Sequence, residues 1–353
     1  MKAALFYGGK DIRVEELPIP EPGPGEVLIR VRAGGVCGSD LHGWRRIPPP
    51  DAPKVGRESG HELSGEVVAL GDGVAGFTVG QRVGIEPEHL VGCGVCPACR
   101  RGDTHICTKR GEVRGERHGS HGFSEYDICV ASNVHPLPDN ISLDVASLLD
   151  VYGCGVHAVN RASIRAYTTA VVLGTGPIGM CTGQVVRASG AKRVIMVGTR
   201  EEPLAFAKEV GAADEVVVNS RVDPVKAILD LTGGEGADVI FESVGGRAPT
   251  ISQAVNMATP GGVICILGIF AEGPQELDTR AGYRREVTIT WANSYSYWNG
   301  RSEYEISMDL VASGRVKAEP LITHHYPLER INEAFVAADD KRGSGAMKVL
   351  VHA

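Results

Sequence analysis

The sequence predicts an α/β protein in which an all-β, barrel-like domain carries an inserted, doubly wound parallel sheet. Three observations point there. Residues 1 to about 150 read as short strands at regular spacing between Gly- and Pro-rich turns, as in a β-barrel. From about residue 155, apolar runs of strand length alternate with helical stretches, the pattern of βαβ units. A final apolar run, Met347 to Val351, is expected to rejoin the first domain. The boundaries predicted are 1–153 with 292–353 for the barrel domain, including a lobe at about 92–108, and 154–291 for the parallel-sheet domain.

In the first domain, Val27-Leu28-Ile29-Arg30-Val31 follows the turn signal of Pro20 to Gly25. Glu66 to Leu70 precedes Gly71-Asp72-Gly73, and Gln81 to Ile85 follows Gly80. In the second, the strands are Ala170 to Leu173, Arg193 to Val197, Glu215 to Val218, Asp238 to Phe241, Val263 to Leu267 and Val287 to Trp291. Asp223 caps a helix whose first position is Pro224. Ser302 and Glu305 form a capping box for a helix that stops at Gly314.

Composition narrows the function. The 353 residues are 43% hydrophobic and 22% charged, with a formal net charge of -7, which suits a globular protein and gives no basic footprint for nucleic acid. The N-terminal MKAALFYGG reads as a strand rather than a signal peptide, and no apolar run approaches the roughly 18 residues of a membrane span. A cytoplasmic protein with no nucleic-acid or membrane partner is expected. Of nine cysteines, Cys129, Cys154, Cys181 and Cys265 sit in apolar or Gly-rich surroundings and read as buried thiols.

Cys93, Cys96, Cys99 and Cys107 follow the spacing C-x2-C-x2-C-x7-C. Four thiolates on one short loop suit a closed tetrahedral Zn2+ site with no open position, hence a structural one. A pair of disulfides or a lobe that has lost its metal is the alternative, disfavoured because nothing else looks secreted.

Gly174-Thr175-Gly176-Pro177-Ile178-Gly179 matches G-x-G-x-x-G, follows the strand Val171-Val172-Leu173 and opens a helical run. In that context the glycines permit a tight turn and close backbone approach to a pyrophosphate at the helix N-terminus. Leu267-Gly268-Ile269, at the end of a later strand, is a further candidate cofactor contact. The second strand ends Val197-Gly198-Thr199-Arg200. An acidic residue there would bind the ribose of NAD; Gly198 instead makes room, and Thr199 and Arg200 offer a hydroxyl and a bidentate partner for a 2'-phosphate. NADP(H) is therefore favoured over NAD(H). In the NAD reading, Arg200 is solvated and Glu201 or Glu202 serves the ribose.

A second candidate metal set is spread along the first domain: Cys37 in Val36-Cys37-Gly38-Ser39-Asp40, His61 and Glu62 after Gly60, and Asp150 after Leu148-Leu149. A thiolate, an imidazole and a carboxylate can hold Zn2+ with one position open. Glu62 as a further permanent ligand would make the site net negative, so it is expected to be exchangeable or water-linked.

On these motifs, across nearly its whole length, the chain resembles the zinc-containing medium-chain dehydrogenase/reductase family of the alcohol, sorbitol and threonine dehydrogenase type. The resemblance implies a GroES-like β-barrel catalytic domain with an inserted Rossmann domain, and two zinc ions per chain. It implies that Cys37, His61 and Asp150 hold catalytic zinc beside Glu62, with Asp40 orienting His61. Asp150 rests on Leu149-Asp150-Val151-Tyr152-Gly153, similar to the polyol and threonine dehydrogenase pattern; a helix cap is the other reading of it. The expected reaction is reversible oxidation of a secondary alcohol or polyol to a ketone, the metal stabilising the alkoxide and the nicotinamide taking the hydride. Ser39 would pass the proton through the cofactor ribose to His42, near solvent. A homotetramer or dimer is implied as well.

Substrate is less legible. Trp44, Arg45 and Arg46 follow the Cys37 loop and could line a cleft, while Trp291, Asn293 and Tyr295 lie where the family brings residues towards substrate. The reading Trp291-Ala292-Asn293-Ser294 lacks the arginine of sorbitol dehydrogenases, so sorbitol itself is doubtful. His118 and His121 read as surface residues. The alternatives are an NAD-dependent L-threonine 3-dehydrogenase-like enzyme, whose substrate carboxylate would need Arg45 or Arg46, and a non-catalytic NADPH-binding protein.

Overall fold

The computed structural model describes residues 1–49, 56–87, 90–110, 112, 121–270 and 273–353. The chain divides into two compact units, Met1–Asp150 with Ala318–Ala353, and Val151–Lys317. The helix Glu303–Ala312 thus belongs to the second unit.

In the first unit, β1 (Lys2–Gly8) and β2 (Asp11–Glu16) form a hairpin. β3 (Glu26–Gly35) is the central strand of a seven-stranded sheet. It pairs antiparallel with β4 (Glu62–Leu70) and also with β6 (Tyr126–Val130), while β4 continues to β5 (Arg82–Ile85) and β7 (Val134–Pro136). Val27, Ile29 and Val31 alternate inward on β3, which is why this strand centres the core with Leu63, Val67, Val83 and Ile85. A second core gathers Phe335, Trp44, Phe123 and Phe6; the Phe335 ring centroid lies 5.8 Å from Trp44, 5.6 Å from Phe123 and 5.2 Å from Phe6. This aromatic cluster anchors the helix Gly38–Arg45, which carries Ser39, Asp40 and His42.

In the second unit, β8 (Thr169–Leu173), β9 (Arg193–Gly198), β10 (Glu215–Val218), β11 (Ala237–Glu242), β12 (Ala258–Ile266) and β13 (Thr288–Trp291) form one parallel sheet. Its order is β10-β9-β8-β11-β12-β13, so the strand order reverses between β8 and β11, where ligands bind in doubly wound folds. Val171, Ile195, Ile240 and Ile264 are fully buried, as central parallel strands require. Asp223 caps the helix Pro224–Leu231, accepting from Lys226 N at 2.8 Å. A small hairpin, β14 (Tyr297–Trp298) and β15 (Arg301–Ser302), leads into the helix Glu303–Ala312. Ser302 Oγ caps it by accepting from Tyr304 N, and Gly314 follows its end at φ 70°.

The chain then returns to the first unit. β16 (Ile322–Pro327) runs parallel to β17 (Lys348–His352), which pairs antiparallel with β3 through Leu350–Gly35 and Val351–Gly34. The fold is a GroES-like barrel with an inserted Rossmann sheet.

Candidate active site and cofactor site

Cys37, His61 and Glu62 arrive from adjoining elements of the first unit: Cys37 follows β3, and His61 immediately precedes β4, which starts at Glu62. One donor atom from each lies within 4.8 Å of the others. Gly60 sets the approach at φ +101°; a Cβ there would stand 2.9 Å from Phe123 N. Asp40 ties the loop together. Its Oδ2 accepts from Cys37 N at 2.9 Å, its Oδ1 accepts from Ser59 Oγ at 2.8 Å, and Oδ1 lies 3.7 Å from His61 Nδ1.

Asp150, buried in the first turn of the helix Leu149–Ala162, adds to the field on His61. Desolvation disfavours the charged imidazole, yet Cys37, Asp40 and Asp150 outweigh it and hold the His61 pKa well above its ordinary value. The converging donors are thus a thiol, an imidazole and the Glu62 carboxylate, with Asp150 acting on His61 through its charge. That donor set fits Zn2+.

Glu62 has a partner that sequence reasoning did not find. The buried Lys348 ammonium on β17 donates to the Glu62 carboxylate and, at 3.0 Å, to Val36 O. Its only sequence signal is a lysine opening the otherwise apolar run Lys348-Val349-Leu350-Val351. Gly35 makes the pair fit, since a Cβ there would meet Glu62 Oε2 at 2.4 Å and Lys348 Cε at 2.9 Å.

Ser39 and His42 are exposed on the helix Gly38–Arg45, one turn apart. Ser39 and Asp40 line a cavity of about 640 Å3 together with Arg46, Arg57 and Glu58. Two expectations for this segment fail. Trp44 is 3% exposed and packs on Phe335, so it is core rather than cleft lining; Arg45 turns to Asp339 in an ion pair. Arg46 alone of the three lines the cavity, and Arg57 joins it unforeseen.

The four lobe cysteines also converge, with one donor atom from each within 4.8 Å of the others. Cys93 and Cys99 sulfurs are 3.9 Å apart, as are those of Cys96 and Cys107. A tetrahedron with Zn–S near 2.3 Å requires S···S of about 3.8 Å, whereas a disulfide requires about 2.0 Å. Backbone N–H groups of Cys96 and Cys93 point at Cys93 Sγ (3.3 Å) and Cys107 Sγ (3.4 Å), as around thiolates. Hydrogen bonds from the backbone of Cys99 and Thr108 lower the Cys96 thiol to about 5, while burial and the neighbouring sulfurs push Cys99 up to about 12. Shared negative charge of this kind fits a bound cation.

In the second unit, the glycine-rich turn joins β8 to the helix Pro177–Ala188. Gly174 sits at φ +110°, and a Cβ on Gly179 would stand 2.2 Å from Gly174 O, so the turn admits no side chain at either position. Gly176 is the N-cap, Pro177 the first helical residue, and Ile178 follows it. β9 ends at Gly198, where a Cβ would lie 2.5 Å from Thr175 Cγ2. Thr199 and Arg200 then lead into the helix Glu201–Glu209, with Arg200 as N-cap. Glu201 is engaged by Arg221. Leu267 and Gly268 N–H groups donate to Glu242 O at 2.8 and 3.0 Å, and Ile269 O accepts from Gly246 N at 2.9 Å. The Gly245–Gly246 turn was not singled out in the sequence.

Three more expectations resolve here. Tyr295 is fully buried against Gly153 and Tyr304 and serves the core, whereas Trp291 is 62% exposed at the end of β13. Cys129, Cys181 and Cys265 are buried and Cys154 is partly so. His121 lies 3.2 Å from Asp127 and 3.3 Å from Glu58, and His118 falls outside the described residues. Among the described residues, no helix is long and apolar enough to cross a membrane.

Comparison with known proteins gives the family. Residues 23–139 match the alcohol dehydrogenase GroES-like domain, and residues 177–313 match the zinc-binding dehydrogenase domain. A sorbitol dehydrogenase of Halalkalibacterium halodurans is 32% identical over 98% of this chain and 96% of its own. An L-threonine 3-dehydrogenase of Pyrococcus furiosus is 36% identical over 95% and 93%. A zinc-binding dehydrogenase of Sinorhizobium meliloti, solved with NADP bound, superposes with a TM-score of 0.85 at 28% identity, covering 100% of this chain and 99% of that one. The chain belongs to the zinc-containing medium-chain dehydrogenase/reductase family. It is a zinc-dependent oxidoreductase of alcohol groups.

Proposed function

We propose that this protein is an NADP(H)-preferring, zinc-dependent dehydrogenase that interconverts a secondary alcohol or polyol and its ketone. The observation that carries the cofactor choice is at the end of β9. Gly198 leaves no carboxylate beside the ribose, Thr199 and Arg200 follow, and Glu201 is occupied by Arg221. Arg200 and Thr199 would hold the 2'-phosphate, and the turn Gly174–Gly179 the pyrophosphate.

Cys37, His61 and Asp150 would hold the catalytic ion, with Glu62 as an exchangeable neighbour restrained by Lys348. Zinc held there would supply the positive charge that acidifies an alcohol hydroxyl, and a bound nicotinamide would supply the hydride acceptor. Asp40 holds Cys37 N and Ser59, so the loop presents Cys37 and His61 at a fixed separation. The Ser39 hydroxyl would accept the substrate proton while passing its own on through the cofactor ribose to His42, which is exposed and would return a proton to solvent. Cys93, Cys96, Cys99 and Cys107 would hold a second, structural zinc. A homo-oligomer, as a tetramer, completes the proposal.

Arg46 and Arg57 in the cavity beside Ser39 favour a second reading, a substrate carrying a carboxylate, such as a 3-hydroxy amino acid. Initial rates over secondary alcohols, polyols, sugars and L-threonine decide between them. Turnover of neutral alcohols, little changed in Arg46→Ala, supports the first reading. Turnover confined to threonine and abolished in Arg46→Ala supports the second.

A further inference from the structure

Asp144, His325 and His352 meet on the surface of the first unit, on elements that carry none of the catalytic or cofactor residues assigned above. Asp144 lies in the first turn of the helix Leu143–Ala146, capped by Ser142. His325 is on β16 and His352 near the end of β17, neighbouring parallel strands. One donor atom from each lies within 4.8 Å of the others. His325 Nδ1 and His352 Nε2 are 3.0 Å apart, and Asp144 Oδ2 is 3.7 Å from His325 Nδ1. The imidazole rings face each other edge to edge, with centroids 5.3 Å apart and planes inclined by 16°.

The protonation pattern suits a ligand. His352 Nδ1 lies 3.0 Å from Arg32 O, and a carbonyl only accepts, so Nδ1 carries the proton. The Nε2 lone pair of the neutral ring then points at His325. Fixing one ring nitrogen by a backbone carbonyl is how protein scaffolds aim a metal-binding imidazole. His325 donates its Nδ1–H to that lone pair; an ion would take the place of this proton, with the half-exposed His325 ring turning to aim its nitrogen at it.

We propose that Asp144, His325 and His352 form a surface site for a first-row divalent transition ion of the Zn2+, Ni2+ and Cu2+ group. Two imidazoles and one carboxylate match those ions rather than Mg2+ or Ca2+. Three protein donors leave further positions to solvent. The ion would bind His352, at the end of β17, to β16 and to the Asp144 helix. It would be additional to the ions held by the Cys37 cluster and the cysteine lobe.

The test is Ni2+ titration of the zinc-replete enzyme by calorimetry at pH 7.5, with released zinc measured in parallel. The wild type should take up one Ni2+ per chain more than the double variant His325→Gln/His352→Gln, without releasing zinc. Asp144→Asn should bind that ion about tenfold more weakly. The double variant should keep wild-type circular dichroism and dehydrogenase turnover, which separates this proposal from the reading of the active site. Equal Ni2+ uptake by wild type and double variant, or uptake matched by zinc release, would overturn it.

Discussion

Lys348 places its ammonium against the Glu62 carboxylate at the junction of β17, β3 and β4, with both side chains at most 2% exposed. Burial opposes a charged lysine, but Glu62 and Cys37 outweigh it and raise the Lys348 pKa. The pair joins the last strand of the chain to the first residue of the strand that follows His61. A change at position 348 is therefore felt beside the Cys37 cluster.

Lys348→Met should leave Glu62 buried without its partner and lower stability by about 3–5 kcal/mol. Urea denaturation checks this. The double variant Lys348→Met/Glu62→Gln should recover part of the loss, because both charges have gone. A single variant as stable as wild type would show that the pair carries little weight.

Arg200→Ala should raise the KM for NADP+ by about 10- to 100-fold, the scale of one charge-assisted hydrogen-bonding partner, and leave the KM for NAD+ nearly unchanged. Gly198→Asp should be worse than a simple loss of affinity. Its Cβ would press on Thr175, and its carboxylate would repel the 2'-phosphate. Steady-state kinetics with each cofactor reads both effects.

Cys96→Ser removes the thiol most disposed to ionise in the lobe. Zinc analysis should fall from two ions per chain to about one, and limited proteolysis should open the segment 93–107. Ser39→Ala should behave differently, keeping both ions while turnover falls by about 10²- to 10⁴-fold, as for loss of a group in proton transfer.

Glu303 supplies a pH test within the second unit. Burial works against its charge, but His157 Nδ1 at 2.7 Å, Asn160 Nδ2 at 2.7 Å and Ser296 N at 2.8 Å outweigh burial and lower its pKa. A folded pKa below the ordinary 4.5 means that its stabilisation is full above that value and is lost as pH falls through it to the folded value. Melting temperature should fall more steeply as pH drops below 4.5 in wild type than in Glu303→Gln, as differential scanning fluorimetry would show.

Much of this was legible because the chemistry is local in sequence. The lobe cysteines lie within 15 positions and the glycine turn within six, so spacing alone brings them together. Cys37, His61 and Asp150 were legible only through the family pattern. Lys348 was hidden because its partner lies 286 positions away and a single lysine in an apolar strand leaves no period to read. Trp44 and Tyr295 misled for the opposite reason. An aromatic residue near a site in sequence looks like pocket lining, yet helix geometry turns Trp44 inward and Gly153 makes room for the Tyr295 ring. Arg45 shows the same limit, since its partner Asp339 comes from a distant helix.

The most direct measurement is the ratio of kcat/KM for NADP+ to that for NAD+ with a secondary alcohol or polyol that the enzyme turns over, before and after removal of metal by a chelator. A ratio well above ten, with turnover lost on chelation and restored by Zn2+, is the expected result. A ratio below one would place NAD(H) at the end of β9 and contradict the roles given to Gly198, Thr199 and Arg200. Activity that survives complete loss of zinc would contradict the roles given to Cys37, His61 and Asp150.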